Sequence, residues 1–82
     1  MPSLGFEDFT LCISSALNVE VERIARKSLR SDFDEWDSFG QIAIAVSIEN
    51  RFNIQLTKEE LFSFVSIEDL VKILEKNSIK FE

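Results

Sequence analysis

Ser38 is the residue of this chain whose placement invites chemistry. It stands in the junction Glu35-Trp36-Asp37-Ser38-Phe39, where an acidic, irregular stretch meets a strongly apolar helical pattern. A serine there can be exposed while its backbone is held rigid, which suits an acceptor that another protein must find and modify. The modest alternative is that Asp37 or Ser38 simply caps the helix that follows. A serine hydroxyl is a weak nucleophile unless a base takes its proton. The chain has no histidine, so a Ser-His-Asp arrangement cannot form, and no lysine lies near Ser38 in the sequence. A chain of 82 residues also offers little room for a closed catalytic cleft. Ser38 therefore reads as an acceptor served by a separate enzyme, and the chain itself as no enzyme.

Composition narrows the setting. The length suits one small domain, here taken as 1–82 with its core over 6–77. Apolar residues make up 45% of the chain and include eight Phe, enough for a core without metal or disulfides. The net charge of −6 repels a phosphate backbone and argues against nucleic acid, while favouring partners with basic patches. The same charge also serves solubility alone in many proteins. One cysteine, Cys12, cannot close an internal disulfide, and no Cys/His metal cluster can be built. Cys12 lies in an apolar helical pattern and reads as a buried structural thiol. No signal peptide or membrane span is legible, so the expected location is cytoplasmic.

Four helices must position Ser38. Phe6, Phe9, Ile13, Ala16 and Leu17 recur at helical spacing, with Ser3 as a possible cap and a stop near Asn18. Residues 19–37 form a long connection, basic in its first half and acidic in its second. Val19, Val21 and Ile24 can reach the core, and part of 20–27 can form a helical turn. A second helix runs from Ser38 to about Asn53. Its inward residues are read as Ile42, Ala45, Val46, Glu49 and Phe52, with Ile44 and Ile48 broadening the apolar face. Thr57-x-x-Glu60 is a capping box for a short third helix with Leu61, Phe62 and Phe64 on its apolar side. Ser66-x-x-Asp69 caps the fourth, which turns Leu70, Val71 and Leu74 inward. Residues 78–82 are expected to fray. The predicted fold class is all-α: a small helical bundle with three main helices, one short helix and a long first loop.

The junction and its surroundings resemble the acyl carrier protein family and its peptidyl carrier relatives. The family's attachment motif, Asp-Ser-Leu at the start of its second helix, reads Asp37-Ser38-Phe39 here. Glu49, Phe52, Ile54, Leu56, Glu59 and Glu60 follow where the family pattern wants them, and Ile67-Glu68-Asp69-Leu70 resembles the entry to the fourth helix. The likeness extends from about Phe6 to Asn77 and implies a long first loop with apolar anchors along it, for which Leu29, Phe33 and Trp36 are the candidates. It implies covalent attachment of 4′-phosphopantetheine, donated by coenzyme A, to Ser38. The arm would end in a thiol that holds acyl groups as thioesters. Implied partners are a phosphopantetheinyl transferase, an acyl-loading ligase or transferase, and downstream biosynthetic enzymes. A freestanding monomer suits visits to all of them.

Partner recognition is expected to involve Asp37, Phe39, Ala43 and Glu49. The family often lines the exposed side of its second helix with acids. Gly40 and Ala43 occupy such positions here, Asn50 replaces a frequent acid, Glu49 is retained, and Phe39 replaces leucine. Recognition that is more apolar and less electrostatic follows, with the acidic run from Asp32 to Asp37 compensating from the loop. The Trp36-Asp37-Ser38 junction with these changes also resembles carriers of specialised pathways, so the expected setting is fatty-acid-like or specialised (polyketide- or saccharide-linked) biosynthesis; the plain alternative is neutral drift on a solvated face. Two alternatives stand beside the acyl carrier: a peptidyl or aminoacyl carrier, and an unmodified helical interaction module that needs Ser38 only as a cap.

Overall fold

The computed structural model describes residues 5–77 and 79. Helix α1 spans Phe6–Leu17, α2 Ser38–Phe52, α3 Lys58–Ser63 and α4 Ile67–Lys76. Among the described residues there is no strand, and one isolated bridge joins Leu29 to Ser66. The all-α bundle of three longer helices and one short one is the architecture its sequence predicts.

Asparagine ends the two longest helices. Asn18 (φ 57°, ψ 48°) and Asn53 (φ 55°, ψ 49°) take the left-handed conformation that this side chain tolerates, and each returns its N–H to a carbonyl of the last turn. Side chains set the starts. Thr57 Oγ1 accepts the Glu60 N–H at 3.1 Å while Glu60 Oε1 accepts the Thr57 N–H at 2.9 Å, a complete capping box for α3. Ser66 Oγ accepts the Asp69 N–H at 3.0 Å and starts α4. The first helix begins differently: Gly5 is its N-cap and supplies no side-chain bond, and the expected cap at Ser3 lies outside the described residues.

Phe9 and Ile13 of α1, Ile44 and Ile48 of α2, and Leu70 and Leu74 of α4 form the centre of the core, with Phe64 between α3 and α4. Two expectations about α2 are corrected. Ile42 and Val46 are 43% and 45% exposed, and the buried stripe is Gln41, Ile44, Ala45, Ile48 and Phe52. Both stripes have helical periodicity. The choice falls to the one whose polar member, Gln41, finds buried partners. Glu49 is half-buried at the margin and holds the chain after α2, its Oε2 accepting the Leu56 N–H at 2.8 Å.

The long connection is ordered by short turns rather than by a helix. Val21–Arg23 and Arg30–Asp32 each form one 3-10 turn. Ile24, Phe33 and Trp36 are buried, and Val19 and Val21 are half-buried. Leu29 is corrected: its side chain is 48% exposed, and its segment is anchored by backbone instead. The Arg30 N–H donates to the Val65 carbonyl at 2.8 Å, and the Ile67 N–H donates to the Ser28 carbonyl at 3.0 Å. Those bonds tie the loop to the α3–α4 junction without needing a leucine in the core.

Three smaller corrections follow from exposure. Phe62 points to solvent on α3, leaving Leu61 and Phe64 as its apolar side. Cys12 is half-buried rather than enclosed. Ile79 packs against the core and donates its N–H to the Leu74 carbonyl at 2.9 Å, so the chain is still held there. Residues 78 and 80–82, also expected to fray, lie outside the described residues.

Candidate functional site

Ser38 is the first residue of α2, and it is exposed. The capping question resolves in favour of its neighbour. Asp37 is the N-cap, extended at φ −95°, and its Oδ1 accepts the Gly40 N–H at 2.9 Å. Its carbonyl accepts the Gln41 N–H at 2.8 Å. The Ser38 hydroxyl is therefore released from capping and presented on a fixed backbone. The Ser38 and Phe39 N–H groups have no partner within the helix, so the positive end of α2 faces any anion attached here.

The ground beneath Ser38 is rigid for two reasons. Trp36 is buried, and its Nε1–H donates to Gln41 Oε1 at 2.6 Å. Gln41 then donates from Nε2 to the carbonyls of Leu61 (3.1 Å) and Phe64 (3.0 Å). Gly40 is the second reason. It is buried, whereas the family resemblance implies a place on the exposed side of the helix. A Cβ at that position would collide with the Glu35 backbone carbonyl and lie 2.9 Å from Leu17 Cδ2. Only a residue without a side chain lets the loop cross so close to α2.

Charge around the junction is graded. Glu35 is exposed, and its carboxyl is held below the usual carboxylate range, first by a hydrogen bond from its own backbone and then by Arg23 at 3.3 Å. Arg30 donates from Nε to the Trp36 carbonyl at 2.9 Å. Among the described residues, Arg23, Arg26 and Arg51 each pair with a carboxylate, while Arg30 forms no ion pair.

The side chains expected to meet partners are placed as follows. Phe39 is 84% exposed beside Ser38. Ala43 is half-buried one turn on, and the exposed Ile42 and Val46 extend the apolar surface along α2. Asp37 is exposed but committed to its cap, and Glu49 is committed to Leu56. Gln41, Gly40 and Arg30 escape sequence reasoning as site residues. The legible signal for Gln41 was its position on the 41-44-48-52 stripe, where a lone polar residue implies buried partners.

A family model described as phosphopantetheine attachment site matches residues 7–74. The acyl carrier protein of Helicobacter pylori is 27% identical over 74 residues, covering 90% of this chain and 95% of that protein. The acyl carrier protein of Helicobacter acinonychis is 27% identical over 77 residues with the same coverage. That of Wolinella succinogenes is 26% identical over 72 residues, covering 88% of this chain and 95% of its own. With the family match running through all four helices, the chain belongs to the phosphopantetheine-attachment family of carrier proteins, whose prosthetic group is a covalently bound 4′-phosphopantetheine.

Proposed function

We propose that Ser38 Oγ is the attachment point and that residues 6–77 act as one carrier domain for acyl groups. The supporting observation is an exposed serine at the first position of α2, directly after a cap supplied by Asp37. A phosphodiester fits there. The unpartnered N–H groups of the helix end favour its charge, offsetting the repulsion from Asp37. Ser38 Oγ forms the new bond to the phosphorus of coenzyme A nearest the pantetheine, and adenosine 3′,5′-bisphosphate leaves. The hydroxyl proton passes to the transferase, which also supplies the metal. When bound, the arm contributes a terminal thiol on which acyl groups are held as thioesters.

The chain's own task is presentation. Gln41 and Gly40 hold the junction still, and the tether raises the local concentration of cargo at each enzyme visited. Phe39, Ala43, Ile42 and Val46 form the docking face for the transferase, the loading ligase or transferase, and the processing enzymes. Glu49 is left out of this face because its carboxylate already holds Leu56. A carrier that visits these enzymes in turn acts as a monomer in the cytoplasm. Its apolar docking suits a specialised acyl pathway.

Intact-mass measurement after incubation with coenzyme A, a broad-specificity transferase and magnesium tests this reading. The expected result is a gain of one phosphopantetheine that Ser38→Ala abolishes. An unchanged wild-type mass with several active transferases would favour an unmodified interaction module. Charging of the modified protein by an amino-acid-activating ligase, and not by acyl-loading enzymes, would favour an aminoacyl carrier.

A further inference from the structure

The groove that opens beside the attachment junction is built from the loop and the α3–α4 connection. It has a volume of about 640 Å³, and Leu29, Arg30, Phe33, Trp36, Asp37 and Val65 are among its lining residues. Its position follows from the backbone bonds described above, which bring residues 29–30 against residues 65–66. Leu29 and Val65 are both about half exposed, so their apolar side chains are not consumed by the core.

Arg30 gives this groove a chemical preference. Its Nε is fixed on the Trp36 carbonyl, two residues before Ser38, which orients the guanidinium without using its terminal nitrogens. No carboxylate of the described residues lies within ion-pair reach, although Asp34 and Asp37 line the same groove. An oriented, unpaired guanidinium is suited to a phosphate oxygen. The remaining lining is mixed. Leu29 and Val65 offer aliphatic surface, and the Asp34 carboxylate and Ser31 hydroxyl offer hydrogen-bond acceptors. A chain with a phosphate at one end, geminal methyl groups near it and amide N–H groups beyond matches that sequence of surfaces.

We propose that this groove is a resting site for the prosthetic arm, with Arg30 holding the phosphodiester and Leu29 and Val65 receiving the geminal methyl groups. The inference rests on Ser38 bearing the arm. It gives Arg30 a positioning role: the arm is parked along the loop between visits and swings out when a partner covers Phe39. The neighbouring carboxylates accept hydrogen bonds from the arm's amides and hydroxyl, and the cation offsets their repulsion of the phosphate.

Isotope-labelled protein carrying the unacylated arm, its modification verified by intact mass, provides the test. The expected result is nuclear Overhauser contact between the geminal methyl protons and the methyls of Leu29 and Val65. The resonance of the single indole N–H, on Trp36, should shift between unmodified and modified protein. In Arg30→Gln protein verified as modified, these contacts should be lost and the amide shifts of residues 29–31 and 65 should return to unmodified values. Wild-type protein that gains the arm but shows shifts only beside Ser38, with no methyl contacts, overturns the inference and leaves the attachment reading intact. Persistence of the contacts in Arg30→Gln overturns the role of the cation. Failure of the mass gain sinks both readings.

Discussion

The indole N–H of Trp36 and the side-chain carbonyl of Gln41 meet at 2.6 Å inside the core. The same amide reaches the Leu61 and Phe64 carbonyls, so one side chain joins the loop before Ser38, the first turn of α2 and the end of α3. Replacing Gln41 with Leu leaves a buried indole N–H and two carbonyls without this partner. Each unpaired group costs about 1–3 kcal/mol, and relaxation recovers part of that. We expect Gln41→Leu to lose about 2–4 kcal/mol in urea unfolding. A midpoint within error of wild type would show that the network adds nothing.

Gly40 carries a second, steric prediction. A methyl group there collides with backbone, which yields less readily than a side chain. Gly40→Ala should destabilise the domain by about 1–3 kcal/mol despite the better helix propensity of alanine. It should also slow modification of Ser38, since the loop must lift from α2. An unchanged melting temperature together with an unchanged modification rate would remove the argument.

Asp37 and Ser38 should separate cleanly. Asp37→Ala loses the N-cap and about 1 kcal/mol of stability. Ser38→Ala loses no capping bond and should stay within about 0.5 kcal/mol of wild type while abolishing modification. Thermal melts read by circular dichroism, combined with intact mass, check both. A large destabilisation by Ser38→Ala would return the serine to a structural role.

The two stripes of α2 make opposite predictions. Ile44→Asp buries an unpaired charge and should unfold the domain. Ile42→Asp places the charge in solvent and should leave the helical spectrum intact while weakening loading by a partner enzyme. If the proposed docking on that apolar face holds, the loading rate of the wild-type protein should depend weakly on salt. A steep fall in moderate salt would point to charge pairing instead.

Cys12 supplies a chemical check. Burial pushes its thiol pKa up, Arg51 partly opposes this, and Asp8 reinforces it. Less thiolate is then present at neutral pH than for an ordinary cysteine, and the rate should keep rising with pH beyond the usual thiol range. Alkylation in the native unmodified protein should be slower than in urea. The modified protein should gain one fast-reacting thiol, counted by mass. Fast native labelling of Cys12 would contradict the burial argument.

Much of the architecture was legible because its signals are local. Asn18 and Asn53 stop helices through a backbone conformation that few side chains tolerate. Thr57 with Glu60, and Ser66 with Asp69, cap within four residues of themselves. The serine was legible for a similar reason: it follows an acidic cap candidate at the edge of an apolar run. Leu29 misled because its hydrophobicity suggested an anchor, whereas its segment is held by main-chain bonds to residues 65–67 that have no sequence signature.

Local order thus belongs to the sequence: the number of helices, their ends, and a serine set at the start of the second. Tertiary structure alone chose which side of that helix turns inward. Ile42 and Val46 are as apolar and as regularly spaced as Ile44 and Ile48, so periodicity leaves the two faces nearly degenerate. The balance is tipped by Leu61 and Phe64, 20 and 23 residues further along the chain, which with the nearby Trp36 bury Gln41 with its bonds made, and by a crossing at Gly40 too close for any side chain.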